Sequence, residues 1–109
     1  MTDRELLELA ARSAGHEFGW IHDSPRIKGE YGWQMWDSLQ DDGDALRLLA
    51  SMREKFGSML LAIFEDRVEC GDVNYCQSIE DIVDGDIPRA VRRAITRAAA
   101  QIQLDKEKQ

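Results

Sequence analysis

Long hydrophobic runs are missing from this 109-residue sequence, and nothing in it approaches the roughly 18 uninterrupted apolar residues that cross a bilayer. No membrane partner is expected. The opening Met1-Thr2-Asp3-Arg4-Glu5 lacks the basic-then-apolar order of a signal peptide, so the expected compartment is the cytoplasm. Cysteine and histidine are scarce. Cys70 and Cys76 are separated by five residues, as are His16 and His22, which is too wide for the usual zinc knuckle; two reduced thiols are the simpler reading, and no metal is assigned. A phosphate-binding glycine loop, a G-x-S-x-G elbow and an H-E-x-x-H helix are all missing, so no catalytic residue and no cofactor is assigned. Positive charge is also in short supply. Fourteen Lys and Arg face 21 Asp and Glu, for a net charge of -7. That balance argues against direct binding to nucleic acid or to an anionic membrane and favours a basic partner.

What is present describes an ordinary globular domain. Hydrophobic residues make up 43% and charged residues 32%, too apolar a mixture for a chain that stays disordered. Thr2 and Glu5 form a capping box, and Leu6, Leu7, Leu9, Ala10 and Ala14 follow at helical spacing, which predicts a first helix over 3–14. Gly15 then closes it, and 17–22 alternates as a strand; Asp23-Ser24-Pro25 marks a turn, with a second strand near Tyr31 to Trp36. Asp41-Asp42-Gly43-Asp44 starts a second helix with Ala45, Leu48, Leu49, Met52 and Phe56 on one stripe, closed by Gly57. The continuously apolar Met59 to Phe64 reads as a central strand. Val68-Glu69-Cys70 and an extended piece from Val73 to Tyr75 would pair as a hairpin. Asp86 and Pro88 start a third helix that carries Val91, Ala94, Ile95, Ala98 and Ile102 on one stripe. The sequence therefore predicts one α+β domain over 1–104, in the order α-β-β-α-β-β-α, with helices packed on a small, mostly antiparallel sheet. Residues 105–109 are polar and read as a frayed tail.

Charge is unevenly spread. Glu65, Asp66, Glu69, Asp72, Glu80, Asp81, Asp84 and Asp86 stand against the single base Arg67, a surplus as large as the net charge of the whole chain. Such carboxylates could face a basic surface, imitating nucleic-acid phosphates, or could simply be solvated loops. Arg89, Arg92, Arg93 and Arg97 offer the opposite face, opposite the apolar stripe of the third helix, and would suit nucleic acid or the neutralisation of the acidic segment within the fold. Trp33 and Trp36, with Trp20 and Tyr31, could anchor a partner or fill the core. An exposed Trp33/Trp36 patch or the alanine-rich third helix would equally suit a homodimer.

The blocks Met1-Thr2-Asp3-Arg4-Glu5-Leu6-Leu7-Glu8-Leu9-Ala10-Ala11, Asp41-Asp42-Gly43-Asp44-Ala45-Leu46-Arg47-Leu48 and Arg92-Arg93-Ala94-Ile95-Thr96-Arg97-Ala98-Ala99-Ala100 resemble small accessory proteins of tailed phages and prophages. Segments 15–40 and 57–86 match no such pattern. The resemblance implies no catalytic residues and a role outside the virion, as an inhibitor of a host defence or nucleic-acid-processing complex of the anti-CRISPR kind. On that reading the acidic residues Glu65, Asp66, Glu69, Asp72, Glu80, Asp81 and Asp84, with Trp33 and Trp36 as anchors, dock on a host protein or nucleoprotein complex with a basic surface. The alternatives are a nucleic-acid-binding accessory protein using Arg89, Arg92, Arg93 and Arg97, and a small metal- or ligand-binding enzyme.

Overall fold

The computed structural model describes residues 1–72 and 75–108. Its elements run α1 (Asp3–Ser13), β1 (Phe18–Ile21), β2 (Ser24–Gly29), β3 (Gly32–Met35), α2 (Asp42–Phe56), β4 (Met59–Ile63), β5 (Arg67–Asp72), β6 (Cys76–Asp81) and α3 (Ile87–Glu107). The class is α+β, with two three-stranded antiparallel sheets, β1-β2-β3 and β4-β5-β6. The strands number three between each pair of helices where the expected order has two, and they form two separate sheets rather than the single one expected.

The helices begin where short acceptors meet free amides. The side chains of Thr2, Asp41 and Asp86 accept from the backbone N–H of Glu5, Asp44 and Arg89, which satisfies first-turn donors that no intrahelical carbonyl can reach. Pro88 sits in the first turn of α3, where its missing N–H costs nothing. Helix α3 is the hub and packs against α1, α2, β5 and β6. Ala94, Ala98, Ala99 and Ala100 are fully enclosed on it, as are Ala10 and Ala11 on α1, and such small side chains let the helix backbones approach closely. The core gathers Leu7, Leu48, Met52, Val68, Cys70 and Ile95 around them.

The first sheet turns at His22 and Asp23, both at positive φ, in a two-residue hairpin that matches the twist of its strands. The chain therefore reverses one residue earlier than the Asp23-Ser24-Pro25 signal implies, and Pro25 lies inside β2. Pro25 has no N–H to give, so the β2–β3 ladder stops at Arg26 opposite Met35; the Pro25 carbonyl still accepts from Trp36 N at 3.1 Å. In the second sheet, Glu65 and Asp66 form the β4–β5 turn. Strand β4, expected in the centre, is an edge, with β5 in the centre, because among the described residues only β5 pairs with the apolar run. The extended piece expected at Val73 to Tyr75 falls partly on residues 73 and 74, which lie outside the described residues; the strand that pairs with β5 is β6. A register shift between Cys70 and Gly71 leaves no room for a side chain at Gly71, where a Cβ would collide with the Tyr75 carbonyl and Cys76 Cα.

Residues 105–107 are not a frayed tail. They continue α3, and the Glu107 carboxylate accepts from Arg12 Nη1 at 2.6 Å, which ties the last turn of α3 to α1.

Candidate interaction surface

The acidic residues that sequence groups together are split by the second sheet. Glu65 and Asp66 occupy the β4–β5 turn, Asp81 ends β6 in register with Arg67, and the Ile82 amide donates to the Asp66 carbonyl at 3.0 Å. Asp84 follows in the loop before α3, at positive φ beside Gly85. Glu65, Asp66, Asp81 and Asp84 thus share one end of the sheet, all exposed. Arg67 is the base among them. It lies 4.3 Å over the Phe64 ring and donates to Glu69 at 2.7 Å and Asp66 at 2.9 Å, so its charge is already engaged. Asp72 terminates β5 at the opposite end of the sheet. Glu69 lies on the open face, opposite Ala62 and Ile79 in the two ladders. Glu80 turns the other way, toward α3, where it accepts from Arg93 Nε at 3.3 Å and Arg97 Nη1 at 3.1 Å.

Helix α3 explains that inward turn. Arg92 donates to the Leu39 carbonyl at 2.9 Å and to Asp42 at 2.8 Å, and Arg93 reaches Asp3 as well as Glu80. Arg92, Arg93 and Arg97 therefore fasten α3 to the start of α2, the start of α1 and β6. Arg89 alone of the four stands exposed among the described residues without an ion pair.

The tryptophans separate too. Trp33 lies on β3 over Gly19 and is 40% exposed. Trp36 is 4% exposed and packs edge-on against Phe18 and His16, so it is core and cannot anchor a partner. Alternation along the extended stretch near Tyr31 to Trp36 is the signal that separates them, because an offset of three residues puts the two side chains on opposite faces.

The cavity beside His16, about 380 Å³, is lined by His16, Trp36, Asp44 and Arg47. Burial and the nearby Lys55 ammonium hold the His16 imidazole below its usual range, which favours the neutral ring. Asp44 accepts from Asp37 N at 2.9 Å and from Arg47 at 2.7 Å, and burial pushes the Asp37 carboxyl up despite the Leu39 and Gln40 amides. These carboxylates are thus occupied in ordering the entry to α2. Among the described residues, no three His, Cys, Asp or Glu come together as a metal site, and no helix is long and apolar enough to cross a membrane.

The two thiols differ sharply. Burial pushes Cys70 up to about 12, whereas Cys76 is exposed. Thiolate, not thiol, is the nucleophile, so native protein at pH 8 should take up one equivalent of iodoacetamide, at Cys76, and a second only on unfolding in urea. Peptide mass mapping of the alkylated protein reads both sites, and rapid native labelling of Cys70 would contradict its burial.

No protein-family model matches the chain, and comparison with curated proteins and with solved structures finds no match either.

Proposed function

We propose that this protein is a stoichiometric, non-enzymatic binding protein that docks the acidic end of its second sheet on a Lys/Arg-rich surface of a nucleic-acid-processing complex. The observation that carries the reading is an asymmetry of commitment. Glu65, Asp81 and Asp84 present exposed carboxylates at one end of the sheet, beside an Asp66 that pairs with Arg67 yet stays open to solvent, while Arg92, Arg93 and Arg97 are engaged by ion pairs within the fold. A patch of one sign steers a basic partner and raises the association rate, and it competes with phosphate for the same cations. No turnover is required. The finer identification of the partner as a host defence complex, with the protein acting in the host cytoplasm as an anti-CRISPR-like inhibitor, draws its support from the resemblance of the three helical blocks to phage accessory proteins. The rival, nucleic-acid binding through the α3 arginines, has only Arg89 and the half-exposed Arg97 left to offer.

The test is capture from a nuclease-treated bacterial lysate with native bait and with a Glu65→Lys/Asp81→Lys bait, followed by affinity measurement on the captured complex. Both positions are exposed, so the doubly reversed bait should fold normally. The expected result is a captured complex with a basic nucleic-acid channel and a rise in Kd of at least about tenfold for the reversed protein, roughly 1.4 kcal/mol. The difference should shrink as salt is raised, since screening removes exposed charge interactions. Equal affinity of the two baits, or loss only with Arg89→Glu/Arg97→Glu, would overturn the reading.

A further inference from the structure

The edge of the second sheet formed by β4 carries a property that the acidic end does not use. Sheet edges in soluble proteins are usually guarded by a lysine, a proline, a bulge or a covering element. Met59-Leu60-Leu61-Ala62-Ile63 has no charge and no proline, and its ladder with β5 is regular from Met59 opposite Asp72 to Ile63 opposite Val68. Its hydrogen-bonding direction follows from the turn. Phe64 N donates to the Arg67 carbonyl at 2.8 Å, and bonded and non-bonded pairs alternate along an antiparallel ladder. Phe64, Ala62 and Leu60 therefore direct their backbone groups to β5, and Met59, Leu61 and Ile63 direct theirs to the free edge. Beside that edge lies an open apolar groove of about 330 Å³, walled by Leu46, Leu49, Leu61, Ile87 and Val91. Leu46 is 66% exposed and Ile63 55%, which is a large apolar outlay for a chain otherwise rich in charge.

We infer that the occupant of this edge is a second copy of the chain, paired antiparallel through β4 about a two-fold axis at Leu61 into one continuous six-stranded sheet. The strand is complementary to itself. Antiparallel pairing centred on Leu61 sets Met59 opposite the partner's Ile63, Leu60 opposite the partner's Ala62, and Leu61 opposite the partner's Leu61. Every cross-strand pair is apolar on both faces, and no like charges oppose each other although each copy carries -7. The groove wall is neutral as well, because its Asp42 and Arg92 pair with each other at 2.8 Å. The inference is independent of the docking function; in the dimer the two acidic ends point away from each other along the strand direction.

Light scattering after size-exclusion chromatography should give twice the 12.4 kDa chain mass at high micromolar concentration. Ile63→Lys, at a half-exposed edge position, should give a folded monomer by circular dichroism. Ile79→Lys, on the open face of the far strand β6 and equally exposed, should leave the dimer intact. Met59→Cys/Ile63→Cys in a Cys76→Ser background should cross-link to dimer on oxidation, since hydrogen-bonded antiparallel partners lie about 5.5 Å apart at Cα, within disulfide reach. A monomeric native protein, a dimer that survives Ile63→Lys, or a cysteine variant that fails to cross-link while still dimeric would overturn the proposal.

Discussion

Met52→Ala should lower the unfolding free energy by about 2–5 kcal/mol, the range seen when a large buried aliphatic side chain is cut back to alanine. Met52 is 0% exposed and belongs to the same buried cluster as Leu48, Val68, Cys70 and Ile95, so it joins α2 to β5 and α3. The loss has two parts. The removed methylenes and sulfur forfeit their transfer free energy, and the cavity left behind forfeits dispersion contacts on every side, because neighbours on three different elements cannot all close around it. For a domain of this size each kcal/mol moves the midpoint by roughly 4–8 °C, so the expected fall in Tm is of order 10–20 °C or more. Urea unfolding followed by tryptophan fluorescence should show a lower midpoint with an unchanged m value. Leu46→Ala, on the same helix but 66% exposed, should stay within about 0.5 kcal/mol of native. A Met52→Ala cost below about 1 kcal/mol would mean that α2 does not hold the core together.

That contrast between Met52 and Leu46 also shows which parts of the fold the sequence makes legible. Caps place the starts of all three helices, because Thr2, Asp41 and Asp86 announce their first turns, and Gly57 ends α2; the end of α3 is missed, since its polar last residues read as a tail although they run on to Glu107. Strands are harder to read. Pro25 and Gly29 look like breakers, yet β2 accommodates Pro25 at the point where the ladder to β3 ends. Strand β4 reads as central since all five residues are apolar, but an apolar run cannot tell a strand covered on both sides from an unguarded edge. Strand β6 is nearly invisible. Its inward residues are Ser78 and Glu80, not aliphatics, and they are satisfied by the Ala94 carbonyl at 2.6 Å and by the α3 arginines. The same blind spot governs the candidate surface. Net charge along the chain is legible, but the partner of each charge is not, so Glu80 reads as one more solvated carboxylate when it is the group that α3 closes upon.

Glu80→Lys should therefore act on stability before it acts on any partner, at a cost of about 2–3 kcal/mol. Removing one member of a buried pair costs roughly 3–5 kcal/mol because a desolvated charge is left behind; the figure is reduced here because Arg93 is 22% exposed and Arg97 48%. Glu80 itself is only 12% exposed in its side chain, so water cannot replace the lost carboxylate without disturbing the packing of β6 on α3. Lysine adds a second penalty by placing an ammonium between two guanidinium groups. Glu80→Gln keeps the shape and one acceptor oxygen and should cost about 1 kcal/mol. Asp81→Lys, one residue on but pointing to the exposed face, should be neutral within about 0.5 kcal/mol. Thermal denaturation at low and high salt separates the causes: added salt should recover part of the Glu80→Lys loss by screening the new repulsion, but little of the Glu80→Gln loss. Equal effects of Glu80→Lys and Asp81→Lys would mean that the α3 arginines do not depend on Glu80. The expected inequality instead divides the acidic segment into a carboxylate that builds the fold and carboxylates free to meet a basic surface.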